Sequence, residues 1–156
     1  MRRYLVVANQ TLGGEHLAEK VRACLAAGPS RFHILVPATQ PSEHAVWTEG
    51  EARAIAARRL ERALERFAEL GAEARGEIGD EVPLQAIADA VREQTFDEII
   101  LSTLPPGLSR WLLQDLPHRV ERTFEVPVTH VVGEAEAAEA DADATIRGRG
   151  AAPGPQ

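Results

Sequence analysis

The stretch Tyr4-Leu5-Val6-Val7-Ala8 decides the fold. An unbroken apolar run of this kind, rich in β-branched valine, reads as a strand covered on both faces, as strands inside a parallel sheet are. A strand with one wet face would alternate apolar and polar residues instead. Outward from it, Asn9 to Gly14 reads as a loop. Glu15 to Ala27 then places Leu17, Val21, Cys24 and Leu25 at helical spacing, with Gly28 as the stop. Phe32 to Val36 is a second strand closed by Pro37, and a polar loop with Pro41, Ser42 and His44 follows. The longest helix runs from about Glu51 to Leu70. Its inner stripe is Ala52, Ile55, Ala56, Leu60, Ala63, Leu64 and Phe67, and Gly71 ends it.

The second half repeats the alternation. A shorter, more polar strand at Ala74–Ile78 leads to Gly79-Asp80, where Asp80 is expected to cap the next helix and Pro83 to sit in its first turn. Leu84, Ile87, Ala88 and Val91 form that helix's inner face. Asp97 to Leu101 is a buried-type strand, Ser102 to Ser109 a proline-bearing loop, Ser109 to Thr123 a set of helical turns, and Val128 to Val132 the last strand. The order βαβαβαβαβ implies right-handed crossovers and an α/β fold, an open five-stranded parallel sheet with helices on both faces. Ligands of such sheets sit at the carboxyl ends of the strands, where strand order reverses. Attention therefore falls on Asn9 to Thr11, Pro37 to Thr39, Gly79-Asp80, and Ser102-Thr103.

Composition narrows the function classes. The 156 residues carry 17 Lys+Arg and 24 Asp+Glu, a net charge of −7, which argues against a general nucleic-acid or anionic-membrane binder. From Gly133 onward the sequence is GEAEAAEADADATIRGRGAAPGPQ, with one large apolar residue, Ile146. Residues 133–156 are expected to form a disordered acidic tail, since they cannot bury enough apolar area to offset their ordering entropy. Without them the balance is −4, so residues 1–132 form a mildly acidic domain. The single cysteine, Cys24, fits a reducing cytosol, and a cytoplasmic location is expected. No run approaches the roughly 20 apolar residues of a membrane span, and Tyr4–Ala8 is too short for a signal-peptide core.

Familiar chemical motifs are absent. Neither G-x-G-x-x-G nor G-x-x-x-x-G-K-[ST] occurs, and Gly13-Gly14 reads as a tight turn into the first helix rather than a phosphate cradle. His16, His33, His44, His118 and His130 fall in different elements without paired spacing, so no metal is expected. A nucleophile elbow, G-x-S-x-G, is missing too, and no catalytic residue is assigned. The topology would suit a receiver domain, but Asn9-Gln10 stands where that chemistry needs an acidic pair to hold Mg²⁺, and no lysine follows the last strand. Arg53, Arg58, Arg59, Arg62 and Arg66 of the long helix alternate with Glu51, Glu61, Glu65 and Glu69, and read as a solvated, ion-paired face.

Gly79-Asp80, Asp97-Glu98-Ile99-Ile100, Leu112-Leu113, Arg119-Val120 and Pro127-Val128 carry a family likeness, joined more loosely by Val6-Val7-Ala8-Asn9-Gln10-Thr11. Over about residues 3–132 the chain resembles the universal stress protein family, small cytosolic α/β domains of the adenine-nucleotide α-hydrolase type. The resemblance implies strand order 3-2-1-4-5 and a homodimer paired through the last strand, with Val128, His130, Val131 and Val132 on the edge. It also implies an ATP site built on three glycines and a hydroxyl between the fourth strand and the last helix. Those positions fall here on Leu101, Leu104, Gln114 and Asp115. Without glycine the backbone cannot easily approach phosphate, and Asp115, expected to cap the helix at Leu116-Pro117, would repel it. The acid near the adenine end of the family site is here Asn9. ATP is therefore not expected in the family's mode, and no cofactor is expected.

In the altered loop, Ser109 can cap a turn and Arg110 can donate to an anion in bidentate fashion, while Trp111 faces a core or a partner. Asn9, Thr11, Ser102, Thr103, Ser109 and Arg110 are the candidate ligand or anion-binding residues. The leading expectation is a non-enzymatic domain acting in a stress response through dimerisation or an unidentified protein partner, with a degenerate nucleotide site. The alternative is a small-molecule or ATP/AMP-binding module, with slow ATPase activity as an extension of it.

Overall fold

β1 (Arg2–Val7) runs through the middle of the sheet, and Leu5, Val6, Val7 and the following Ala8 have no solvent exposure. The computed structural model describes residues 1–39 and 48–134. The elements after β1 are α1 (Glu15–Ala27), β2 (Ser30–Pro37), α2 (Glu49–Glu69), β3 (Glu73–Gly79) and α3 (Pro83–Glu93). They continue with β4 (Glu98–Thr103), α4 (Arg110–Leu113), α5 (Leu116–Thr123) and β5 (Val128–Val132). All strand pairs are parallel, in the order β3-β2-β1-β4-β5. The polar loop expected at Pro41, Ser42 and His44, and all of the expected tail after Glu134, lie outside the described residues.

The two-residue period of β1 sorts its side chains into two cores. Tyr4, Val6 and Ala8 pack with Leu17 and Val21 of α1 and Ala56, Ala63 and Phe67 of α2. Leu5 and Val7 pack on the other face with Ala86, Ile87 and Ala90 of α3 and with Trp111, Leu116 and Val120. Each fully buried Leu or Val contributes about 1.5–3 kcal/mol, so a strand shared by two cores ties both helical layers together. Tyr4 stacks on Phe32 at a centroid distance of 5.2 Å, and Phe32 meets Phe67 edge-on at 5.7 Å.

Several local expectations need correction. β4 begins one residue late and ends two residues late against Asp97–Leu101, because its ladder with β5 extends to Thr103↔Val132, so Ser102 and Thr103 are strand residues rather than loop. The helical turns after Ser109 split into α4 and α5, since Pro117 supplies no amide and Asp115 turns the chain with φ 54°, in the left-handed region. Asp115 stands at the N-cap of α5, yet its carboxylate caps nothing and instead lies 2.9 Å from Nδ1 of His118. Asp80 does not cap α3 either. Its Oδ1 accepts from the Val82 amide at 2.8 Å, a local turn that delivers the chain to Pro83. Thr48 caps α2, accepting from the Glu51 amide, so that helix starts two residues ahead of the expected Glu51.

Candidate functional site

β1 and β4 are neighbours in the sheet, but the chain leaves β1 toward β2 on one side and reaches β4 only later, on the other. Their carboxyl ends therefore diverge into loops that run apart, which is where an open α/β sheet forms a crevice. A pocket of about 440 Å³ opens there, within the roughly 300–1,000 Å³ range of small-molecule sites. Its floor is the end of β1 and β4, with Asn9, Thr11, Ser102 and Thr103 all buried.

The floor is a hydrogen-bonded set. Thr11 Oγ1 and Ser102 Oγ lie 2.6 Å apart and are buried, so the two hydroxyls satisfy one another across the switch point. Asn9 donates from Nδ2 to the Pro37 carbonyl at 2.8 Å, and its Oδ1 accepts from Nη1 of Arg59. That pairing fixes which end of the Asn9 amide is oxygen. Thr103 donates to the Leu104 carbonyl at 2.9 Å and lies 2.8 Å from Nε2 of His130. A hydroxyl has one proton to give, so His130 is the donor in the second contact and carries its proton on Nε2. Although His130 is exposed, partial desolvation on the pocket side lowers its pKa from the ordinary histidine value.

The wall comes from the segment between β4 and α4. Leu104, Pro105 and Leu108 line the pocket beside Arg110 and Trp111. Ser109 caps α4 by accepting from the Leu112 amide at 3.2 Å, and Trp111 is buried, shared between the pocket wall and the second core. All six candidate residues named from the sequence (Asn9, Thr11, Ser102, Thr103, Ser109 and Arg110) thus stand around one pocket. Of the other strand ends, Thr39 joins them, whereas Gly79 and Asp80 border a separate, more open depression.

Arg59 contradicts the reading of the long helix as a solvated face at that position. Only 4% of it is exposed, and it lines the pocket together with Leu104 and Trp111. The spacing held the signal. Arg59 falls three residues after Ala56 and four before Ala63, on the buried stripe of α2 rather than its outer face. Arg53, Arg58 and Arg62 are exposed as expected, and Arg66 pairs with Glu15 of α1 at 3.3 Å.

Asp115 is absent from the pocket lining; it is exposed, with His118 at 2.9 Å and Arg122 at 3.9 Å. At the sites expected for glycine, Leu101 is wholly buried in β4, Leu104 is in the pocket wall and Gln114 ends α4. Gly14 closes a turn by donating to the Thr11 carbonyl at 3.0 Å, in keeping with the tight-turn reading. Among the described residues no group of three or more His, Cys, Asp or Glu converges as a metal site, and no helix is long and apolar enough to cross a membrane.

Solved structures share this architecture. The chain is similar to a universal stress protein from Archaeoglobus fulgidus in complex with dAMP, at 15% identity, covering 84% of this chain and 98% of that one with a TM-score of 0.56. It is also similar to a universal stress protein family protein from Arabidopsis thaliana with AMP bound, at 15% identity over 89% and 95% of the two chains, TM-score 0.60. A universal stress protein in complex with cAMP matches at 21% identity over 83% and 96%, TM-score 0.52. No family model and no curated protein matches the chain. At these identities the likeness is one of fold, and the chain carries the universal-stress-protein fold over most of its length.

Proposed function

We propose that this protein is a non-enzymatic, cytoplasmic small-molecule-binding domain of the universal-stress-protein type, serving a stress response. The observation that carries this reading is the pocket at the β1–β4 switch point, with a hydrogen-bonded polar floor and an apolar wall. Such a lining suits a ligand with an apolar body and a polar end. Proteins of the same fold hold dAMP, AMP and cAMP, which makes adenine nucleotides the first class to test. Leu101, Leu104 and Gln114 in place of glycines favour a changed set of contacts, hence a nucleotide site degenerate in the family's own terms.

Trp111 in the wall supplies the readout. With Trp47→Phe removing the second tryptophan, AMP, cAMP, ATP and adenosine are titrated against Trp111 fluorescence and against thermal denaturation. At least one is expected to give a saturable change, and Leu104→Phe, which fills the pocket, is expected to abolish it. Flat titrations for all four at millimolar concentration overturn the reading.

A second reading, association through β5, rests on that strand's position at the end of the sheet. Among the described elements β5 pairs with β4 alone, and Val132 is 40% exposed. An open edge of this kind invites a second strand. Val131 packs against the first core and Val128 against the second, so the test substitution belongs at Val132. Sedimentation is expected to show a dimer that Val132→Lys weakens. A clean monomer at high micromolar concentration counts against it.

A further inference from the structure

We infer that the pocket takes an uncharged molecule. Its apolar body lies along Leu104, Pro105 and Trp111, and its polar end, a hydroxyl or carbonyl, meets the carboxamide of Gln10. The inference rests on the pocket being the ligand site and names the class of molecule that it takes.

The hydrogen-bonding groups around the pocket are for the most part spent inside the chain. Thr11 and Ser102 bond to each other at 2.6 Å, and Asn9 is held at both ends, by the Pro37 carbonyl and by Arg59. Thr103 gives its proton to the Leu104 carbonyl and Thr39 to the Glu81 carbonyl, while Ser109 accepts from the Leu112 amide. The backbone is turned inward in the same way. Pro105 and Pro106 have no amide proton. The amides of Leu108 and Ser109 both donate to the Pro105 carbonyl at 3.0 Å, and that of Gly14 to the Thr11 carbonyl. An anion entering such a site loses its water and finds few donors in exchange, a cost that an apolar body with one neutral polar atom does not incur.

The charges of the lining are of both signs. Arg59 and Arg110 are engaged within the chain, and Glu134 brings a carboxylate to the same pocket. An acid would have to draw a guanidinium from its present contacts against the repulsion of that carboxylate, and a cation meets two guanidiniums for one carboxylate. Gln10 differs from these groups. It is half-buried in the lining, and its carboxamide makes no hydrogen bond among the described residues. An amide carries donors and an acceptor without net charge, so it suits a hydroxyl or a carbonyl equally. A nucleotide then enters by its nucleoside part, with the phosphate left in water at the mouth.

The test keeps one apolar body, a naphthalene ring, and changes its end: 2-naphthalenemethanol, 2-naphthoate and 2-naphthylmethylammonium. Each is titrated at neutral pH against the full chain, with the amide chemical shifts of Gln10, Ser102 to Leu104 and Trp111 as the readout. The alcohol is expected to bind about 10-fold more tightly than either ion, the size of one unreplaced hydrogen bond. Gln10→Leu is expected to weaken the alcohol by about 3- to 10-fold and to leave 2-methylnaphthalene, which has no polar end, unchanged. Glu134→Gln is expected to narrow the gap to the anion and to leave the alcohol where it was. Tightest binding by naphthoate overturns the inference and shows the guanidiniums to be available; tightest binding by the ammonium overturns it in favour of Glu134. Equal binding of all three overturns it as well, and an alcohol indifferent to Gln10→Leu overturns the part assigned to Gln10. In each of these cases the pocket reading stands. Silence of all three while adenosine binds overturns the inference alone, and silence of adenosine too overturns both.

Discussion

Thr11 and Ser102 place two buried hydroxyl oxygens 2.6 Å apart, and each is the other's partner in a place water does not reach. Removing one therefore costs more than removing both. Ser102→Ala or Thr11→Val alone is expected to lower stability by about 1–2 kcal/mol, because the surviving hydroxyl stays buried and loses its partner. The double variant should cost less than the sum, as read from urea midpoints; strictly additive losses would contradict the pairing. Asp115 offers a second test. It adopts φ 54° without glycine's freedom, and its carboxylate is exposed, so Asp115→Gly is expected to raise stability by up to about 1 kcal/mol and Asp115→Val to lower it. A thermal melt unmoved by either substitution would show that no strain resides there. Four of the six candidate residues, Asn9, Thr11, Ser102 and Thr103, were legible from polar type at the strand ends, and Ser109 and Arg110 from the altered loop that follows β4. Arg59 was not, because a run of alternating Arg and Glu hides one member on the inner face unless each position is set against the helical period. The side-chain direction of Asp115 was beyond reach for a different reason. Whether an N-cap acid caps depends on the φ of that one residue, which the Asp-Leu-Pro sequence leaves open.

At the scale of elements, the parallel sheet followed from apolar continuity, and the run Tyr4–Ala8 alone requires two covered faces. Boundaries were harder, since the end of β4 is set by its ladder to β5 and not by its own residues. β3 depends on close approaches that the sequence marks with two glycines, Gly76 and Gly79. A Cβ on Gly76 would meet the Ile34 carbonyl oxygen at 2.8 Å and the Leu60 side chain closer still, where α2 presses on the edge of the sheet. Gly76→Ala is expected to cost about 1–3 kcal/mol in denaturant unfolding, the range for overpacking; a neutral result would mean that α2 sits farther from the sheet. At the opposite end of β4, Glu98 joins three elements. Burial pushes its carboxyl up, but hydrogen bonds from Thr129 and Lys20 and the charges of Lys20 and Arg2 outweigh that, leaving its pKa below the ordinary glutamate value. A folded-state pKa below the unfolded one stabilises the protein above the unfolded value, and the contribution disappears as pH falls through the folded one. Glu98→Gln is thus expected to be less stable than wild type by about 1 kcal/mol at neutral pH, with the two converging in acid. A gap independent of pH would contradict the ion-pair account.

For the whole molecule, the sheet order 3-2-1-4-5 sets the pocket at one end of the β1–β4 seam and leaves β5 as an open edge. The proposed ligand site and the proposed association edge are then different surfaces. The pocket floor belongs to β1 and β4, and Val132→Lys on β5 is expected to change self-association without changing ligand affinity. The net charge of −7 falls to −4 once residues 133–156 are set aside, and within the remainder Arg59 is a buried cation at the pocket. The central claim is that the β1–β4 crevice holds a small molecule, and amide chemical shifts measured during an AMP titration test it most directly. Saturable shifts are expected at Asn9 to Thr11, Ser102 to Leu104, Arg59 and Trp111, reaching His130 through its contact with Thr103, with β3 and the Gly79-Asp80 depression silent. Shifts confined to those other surfaces, or none at saturating AMP, would contradict it.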